Sequence, residues 1–349
     1  MNDIEKRKLE HLEVVMSGSA NAVHTASGFD HVRFEHEALP DLDFDEIDLN
    51  VAFLGRTMSA PLLVSSMTGG PALAESFNEH IAEACGALGI GFGVGSQRIA
   101  LEDIGSAGFS KALRARAGDV PILANFGAAQ LLAWNGADMA RRAVDMIDAD
   151  ALIVHFNPLQ EAVQINGDRN WKGVLTALAE LCRGCDFPIV AKEVGAGISA
   201  ATARRLVEAG VAVIDVAGAG GTSWAAVEAA RADSEKQRRI AEAFRDWGIP
   251  TVEALVRVKG ACPTTTLIAS GGVRDGIDCA KAVRLGADVV GLAGGILASA
   301  AVDTASLVAQ LEIIIEQLRI VCFCTESRDL GQLKAAKLSH VPPYGDGVV

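Results

Sequence analysis

The chain has 349 residues, 50% of them hydrophobic but only 5% aromatic, with 36 glycines. A net charge of −13, from 31 basic and 44 acidic residues, excludes a general nucleic-acid binder, because a phosphate backbone needs a basic surface. No apolar run approaches membrane-spanning length, the start MNDIEKRKLEHLEVV is too charged for a signal peptide, and 7 cysteines without a secretory signal fit a reduced cytoplasmic setting.

In chain order, residues 1–60 carry an acidic patch, Asp41–Asp48, and read as an N-terminal extension packed over one end of a larger body at 61–320. That body repeats short aliphatic runs, each closed by glycine or a polar residue. They are Leu62–Ser66, Ile90–Val94, Ile122–Asn125, Ala151–His155, Ile189–Glu193, Val211–Val216, Thr265–Ser270 and Asp288–Ala293. Between them lie Ala-, Glu-, Arg- and Leu-rich segments. Ser199–Ala209 and Asp275–Leu285 predict helices with Ser199 and Asp275 as N-caps. Strand alternating with helix predicts parallel pairing through right-handed crossovers, and eight such units match a (β/α)8 TIM barrel in count and length. The rival is a doubly wound open sheet, but Gly218-Ala-Gly-Gly-Thr-Ser223 has Ser where a Rossmann fingerprint needs its third glycine. A long insertion follows the sixth strand and includes the amphipathic stretch Ser234–Trp247. It reads either as a lid or subunit contact, or as a solvated excursion. Residues 321–349 form a C-terminal tail. Cys182-Arg-Gly-Cys185 has no partner pair at zinc spacing, and Cys322-Phe-Cys324 does not supply one, so these thiols are read as structural.

In such a barrel the polar residues just past each strand converge on one face. Gly271-Gly272 and Gly294-Gly295, after strands seven and eight, let backbone N–H groups approach a phosphate without obstruction from Cβ. Thr222 and Ser223 add hydroxyls. Lys192 ends an otherwise apolar strand, where burial is costly without an anionic or electron-rich partner. These features predict a phosphorylated cofactor, FMN being the usual candidate, although core packing alone also explains the glycines. The fourth strand empties into His155, Asn157, Gln160 and Glu161, with Gly167-Asp168-Arg169 following; Arg98 and Arg7-Lys8 are the other basic candidates. One carboxylate among several bases suits a Mg²⁺–diphosphate, since Mg²⁺ often takes one or two protein carboxylates and completes its shell with water and phosphate. Taken singly, Glu161 reads as a salt-bridged surface acid and His155 as a hydrogen-bonded core histidine.

These residues, in this order, resemble the type 2, flavin-dependent isopentenyl-diphosphate isomerases. The matching segments are Arg7-Lys8, Met67-Thr-Gly-Gly70, Gly93-Val-Gly-Ser-Gln-Arg98, Asn157-Pro-Leu-Gln-Glu161, Gly167-Asp168, Lys192-Glu-Val-Gly-x-Gly-Ile-Ser199, Ala219-Gly-Gly-Thr-Ser-Trp224, Trp247-Gly-Ile-Pro-Thr251 and Ser270-Gly-Gly-x-Arg274. Trp171 and Phe156 depart from the pattern without removing a chemical group. The resemblance implies conversion between isopentenyl and dimethylallyl diphosphate with FMN, Mg²⁺ and a reductant such as NADPH. It implies FMN held by Ser66, Met67, Thr68, Ser96, Asn125, Lys192, Thr222, Gly271, Gly272, Arg274, Ala293 and Gly294. Substrate would be held by Arg7, Lys8, Ser96, Gln97, Arg98, His155, Asn157 and Gln160, and Mg²⁺ by Glu161. Gln160 and His155 would stand nearest the chemistry, with the flavin. A homo-oligomer, tetramer or octamer, is expected, and no nucleic-acid or membrane partner.

Three rivals remain at this stage. A 2-hydroxy-acid oxidase or dehydrogenase needs a His base and a nearby Arg after the sixth or seventh strand, and Gly218–Trp224 holds no His. A purine-nucleotide dehydrogenase needs a Cys nucleophile in that loop, where this chain offers Thr222-Ser223. A non-catalytic flavin- or phosphate-binding module would show bound flavin but no turnover.

Overall fold

The computed structural model describes residues 10–11, 13–15, 17–66, 73–102 and 108–341. The aliphatic runs become the parallel strands β1 (Leu62–Val64), β2 (Gly91–Gly93), β3 (Ile122–Gly127), β4 (Ala151–Phe156), β5 (Ile189–Glu193), β6 (Val213–Asp215), β7 (Thr266–Ala269) and β8 (Val289–Leu292). Neighbours in sequence are neighbours in space, and β8 pairs with β1 to close a TIM barrel, which excludes the open doubly wound sheet. Both expected helices form, over Ala200–Glu208 and Gly276–Arg284. Ser199 accepts from the N–H of Thr202, and Asp275 from that of Asp278. Among the described residues no helix is long and apolar enough to cross a membrane.

The barrel interior is graded. Towards the N-terminal ends of the strands it is filled by Leu63, Leu123, Ile153, Val190, Val213, Ile268 and Val289. An antiparallel hairpin, Val51–Phe53 with Arg56–Met58, closes that end by packing Phe53 and Met58 onto these side chains. Towards the C-terminal ends the interior turns polar. The register sets His155 beside Lys192 and Lys192 beside Asp215 across β4, β5 and β6. Such a row is tolerable only where side chains pair with one another or meet a ligand.

The outer layer is equally close-packed. Helix Thr304–Cys324 lies against Leu73–Leu88 and Gly276–Arg284. Its approach to the latter requires Gly276, where a Cβ would sit 2.2 Å from the Ile314 carbonyl oxygen. The N-terminal extension differs from expectation, because it reaches both barrel ends. Its hairpin seals the base, while residues 18–28 lie across the opposite mouth, with Asn21 bridging to Thr222 and Ala22 donating to the Gly221 carbonyl at 3.0 Å. Between the two, the extension passes alongside helix Gly276–Arg284, held by Lys281 Nζ to the Phe29 carbonyl at 2.9 Å. Arg33–Phe34 pair antiparallel with Leu338–His340, joining extension and tail.

Candidate active site

A cavity of about 670 Å³ opens at the C-terminal ends of the strands. On one side Ser65 and Ser66 follow β1, and their hydroxyls are buried with no hydrogen-bond partner among the described residues. Glycines on the flanking strands make room for them. A Cβ at Gly93 would lie 2.7 Å from Ser66 Oγ, and one at Gly291 2.5 Å from Ser65 Oγ. A buried hydroxyl without a partner costs about 1–3 kcal/mol, so two lining one cavity call for a polar ligand. Beside them Lys192 Nζ lies 3.0 Å from Asp215 Oδ2 and 3.4 Å from Ser270 Oγ, and Ser270 donates to Asp215 Oδ1 at 2.6 Å. Lys192 and Ser270 line the cavity, with Asp215 behind them. The loops after β6, β7 and β8 present Gly220, Gly221, Gly271, Gly272 and Gly294 to the same space. At Gly272, φ is +67° and a Cβ would lie 2.6 Å from the Gly220 carbonyl oxygen, so the two glycine loops touch backbone to backbone.

The opposite side is built from amides and carboxylates. Asn157 precedes a short helix, Pro158–Val163, that starts on proline, and its Nδ2 donates to Gln160 Oε1 at 3.0 Å and Glu161 Oε1 at 3.1 Å. Glu161 Oε2 accepts from the N–H of Asp168 at 2.7 Å, drawing the Gly167–Asp168 turn over the helix. Asp168 in turn accepts from Arg98 at 3.0 Å and Gln130 at 3.1 Å. Gln160 Nε2 donates to Glu228 Oε1 at 3.0 Å. Glu228 stands on helix Trp224–Ala230, is 4% exposed, and also contacts His11 Nε2 at 3.0 Å and Arg231 at 2.8 Å. Burial pushes its carboxyl up, but His11, Gln160 and Arg231 outweigh it and hold Glu228 below the usual carboxylate range. Both ends of the Gln160 amide are therefore committed, and its orientation is set. His155 Nδ1 meets Asn125 Oδ1 at 2.8 Å, and Asn125 Nδ2 donates to the Val94 carbonyl at 3.0 Å.

Most residues singled out in the sequence meet in this cavity: Ser66, Ser96, Arg98, Asn125, His155, Asn157, Gln160, Glu161, Lys192, Thr222, Gly271, Gly272, Arg274, Ala293 and Gly294 all line it. Gln97 does not. Its amide is fully buried, donating to the Ala143 carbonyl at 2.9 Å and accepting the Asn125 N–H at 2.9 Å, so it braces Asn125 from behind. Arg274 lines the cavity while its guanidinium pairs with Asp30 and Asp278. Arg7, Lys8, Met67 and Thr68 lie outside the described residues. Sequence reading missed Ser65, Asp215, His11 and Glu228. The last had a signal, as the lone acid of the apolar run Trp224-Ala-Ala-Val-Glu-Ala-Ala230.

A protein-family model for FMN-dependent dehydrogenases matches residues 2–119 and 124–340. The chain belongs to the FMN-dependent dehydrogenase family. The protein named isopentenyl-diphosphate delta-isomerase in Stutzerimonas stutzeri is 59% identical over 95% of this chain and 96% of its own length. Those of Xanthobacter autotrophicus and Pseudescherichia vulneris are 55% and 54% identical, each over 96% of this chain and 97% of its own length. Among solved structures, a mandelate oxidase carrying an FMN adduct superposes with a TM-score of 0.67 at 19% identity, over 100% of both chains. Another, with (S)-2-phenylpropionate, gives 0.67 at 17% identity over 99% of this chain and 98% of that one. These likenesses establish the fold; the curated relatives place the chain among isomerases.

Proposed function

We propose that this enzyme interconverts isopentenyl diphosphate and dimethylallyl diphosphate, using reduced FMN and Mg²⁺ in this cavity and NADPH as the reductant that prepares the flavin. The supporting observation is that one cavity joins two different surfaces. Glycine loops, Lys192 and the unpartnered Ser65 and Ser66 hydroxyls suit a phosphorylated flavin. Facing them is an amide–carboxylate cluster suited to a metal-bound diphosphate and a neutral alkene. The relatives named for this reaction align over nearly the whole chain.

On this reading FMN is held by Ser66, Ser96, Asn125, Lys192, Thr222, Gly271, Gly272, Arg274, Ala293 and Gly294, with Ser65 added, and by Met67 and Thr68. Reduced flavin, when bound, supplies an electron-rich ring and an exchangeable proton beside the substrate, and is not consumed because the net redox change is zero. The protein binds, orients and excludes water. Glu161 offers a carboxylate to Mg²⁺, its position secured by Asn157 and the Asp168 N–H. Arg98, His155, Arg7 and Lys8 would take the diphosphate. Gln160, clamped between Asn157 and Glu228, presents a neutral amide that does not quench positive charge developing on the alkene. A hydroxy-acid oxidation would need a histidine after the sixth or seventh strand, and residues 216–288, Gly218–Trp224 among them, contain none. The reading extends to residues 1–349 as one FMN-binding domain in a tetrameric or octameric homo-oligomer.

The test is anaerobic incubation of photoreduced enzyme with isopentenyl diphosphate and Mg²⁺ in D₂O. The expected result is deuterium in the dimethylallyl diphosphate formed. A reduced, Mg²⁺-loaded enzyme that leaves isopentenyl diphosphate unchanged and unlabelled overturns the reading.

A further inference from the structure

The excursion after β6 makes an unusual set of contacts with residues 19–25 of the N-terminal extension. Asp246 Oδ1 accepts three successive backbone N–H groups, those of Val23 and His24 at 2.8 Å and of Thr25 at 3.1 Å. The Thr25 hydroxyl donates to the Asp246 carbonyl at 2.8 Å. From the adjoining residue, the Arg245 guanidinium donates to the carbonyls of Ser19 at 2.8 Å and Asn21 at 3.1 Å. The guanidinium is braced by Glu242 and gives its remaining nitrogen to these two carbonyls. Together with a carboxylate taking three N–H groups, it grips an irregular segment mainly by its backbone, with the Thr25 hydroxyl the side chain engaged.

The segment so gripped is part of the cavity wall: Asn21 and Ala22 line it, as do Val15 and Gly18 just before it. Just upstream His11 reaches Glu228, and the chain before it carries the basic pair Arg7-Lys8. The far side of the excursion packs on the helix that bears Gln160 and Glu161. Ala241 and Phe244 share one hydrophobic cluster with Leu159 and Val163, and Gln237 Nε2 donates to the Val163 carbonyl. One element thus carries both walls of the substrate side.

We propose that Arg245 and Asp246 are positioning residues for the diphosphate substrate. They hold residues 19–25 over the cavity mouth, so losing them weakens diphosphate binding and leaves the chemical step intact. This inference rests on the isomerase reading. Charge-assisted hydrogen bonds to backbone are the strong kind, and removing three at once loosens the strap, which still keeps neutral backbone bonds such as Ala22 N–H to the Gly221 carbonyl. If the closed strap falls to roughly a tenth of the population, apparent affinity falls about tenfold.

The experiment uses full-length, flavin-loaded enzyme as wild type, Asp246→Ala, Arg245→Ala and Asp246→Asn. It measures KM and kcat for isopentenyl diphosphate, the Kd of inorganic diphosphate with Mg²⁺, and amide hydrogen exchange at residues 23–25. The two alanine variants should raise KM and the diphosphate Kd about tenfold with kcat within about twofold. Asp246→Ala, which removes their acceptor, should expose the amides of residues 23–25 while barrel amides stay protected. Asp246→Asn keeps an oxygen acceptor and should restore most of the affinity. Unchanged Kd in the alanine variants despite opened amides overturns the proposal, as does a loss confined to kcat. Diphosphate binding that weakens as expected, in an enzyme that never isomerises the substrate, defeats the isomerase reading and spares the latch.

Discussion

Replacing Glu228 tests the network behind Gln160. Its carboxylate is 4% exposed and receives His11, Gln160 and Arg231 at 2.8–3.0 Å. In Glu228→Ala, Arg231 keeps Glu10 at 2.9 Å, but the Gln160 amide loses the acceptor for its Nε2 and His11 loses this contact. At about 1–3 kcal/mol for each buried polar group left unsatisfied, and with a buried charge removed from its partners, the variant should lose about 3–5 kcal/mol. Glu228→Gln keeps the shape and one acceptor but not the charge, and should lose about 1–3 kcal/mol at pH 7. The pH dependence has a defined sign. The native carboxyl titrates below its ordinary value of 4.5, so its charge stabilises the fold at every pH above that value. The contribution disappears as pH falls through the lowered native value. Urea unfolding from pH 3 to 7 should therefore show the gap between wild type and Glu228→Gln shrinking only below about pH 4.5. The alanine variant should also lower kcat, because Gln160 loses the acceptor that holds its Nε2, whereas Glu228→Gln keeps an oxygen there and should retain most of it. An alanine variant within about 0.5 kcal/mol of wild type, against the expected buried-pair loss, or a gap that does not vary with pH, refutes the reasoning.

Lys192→Met strands Asp215, 1% exposed, without its partner at 3.0 Å, and should cost about 3–5 kcal/mol in unfolding experiments as well as most of the flavin affinity. Adding Asp215→Asn should recover stability but not flavin binding; recovery of both, seen by flavin fluorescence titration, would show that Lys192 does not hold the cofactor. Glu161→Gln should raise the Mg²⁺ concentration for half activity at least about tenfold, and full activity at low Mg²⁺ would remove its role as a ligand. Burial pushes the Glu193 carboxyl up to about 7, against the pull of the Ala196, Gly195 and Val194 N–H groups that its Oε2 accepts. A raised native pKa means stability is lost as pH rises, so wild type should weaken relative to Glu193→Gln between its ordinary value of 4.5 and about 7. Thermal melts with a constant difference across that window would show that Glu193 does not titrate there.

The barrel was legible in the sequence because a parallel strand buried on both faces must be a short aliphatic run, and chain order alone makes consecutive strands neighbours. All eight strands lie where those runs stand, although β3 and β4 extend to Gly127 and Phe156. The polar residues that end the strands were legible for the same reason: a hydrophilic side chain at the close of an apolar run has to face a cavity or a partner. Asn125, His155 and Lys192 show it.

Local pattern could not tell which polar residue faces the cavity and which stands behind it. Gln97 and Arg98 are adjacent in sequence, yet one braces Asn125 inside the wall and the other lines the space. Glu228, His11, Asp215 and the Arg245–Asp246 grip were invisible for a related reason. Each acts across more than 20 residues of sequence, on groups whose proximity exists only once the barrel has closed. The sequence by itself determined the strands, the caps and the set of polar strand ends, because those follow from burial and backbone geometry within short windows. Only tertiary structure decided how these residues pair, because hydrogen bonds and ion pairs act over about 3 Å, a distance that chain order does not record.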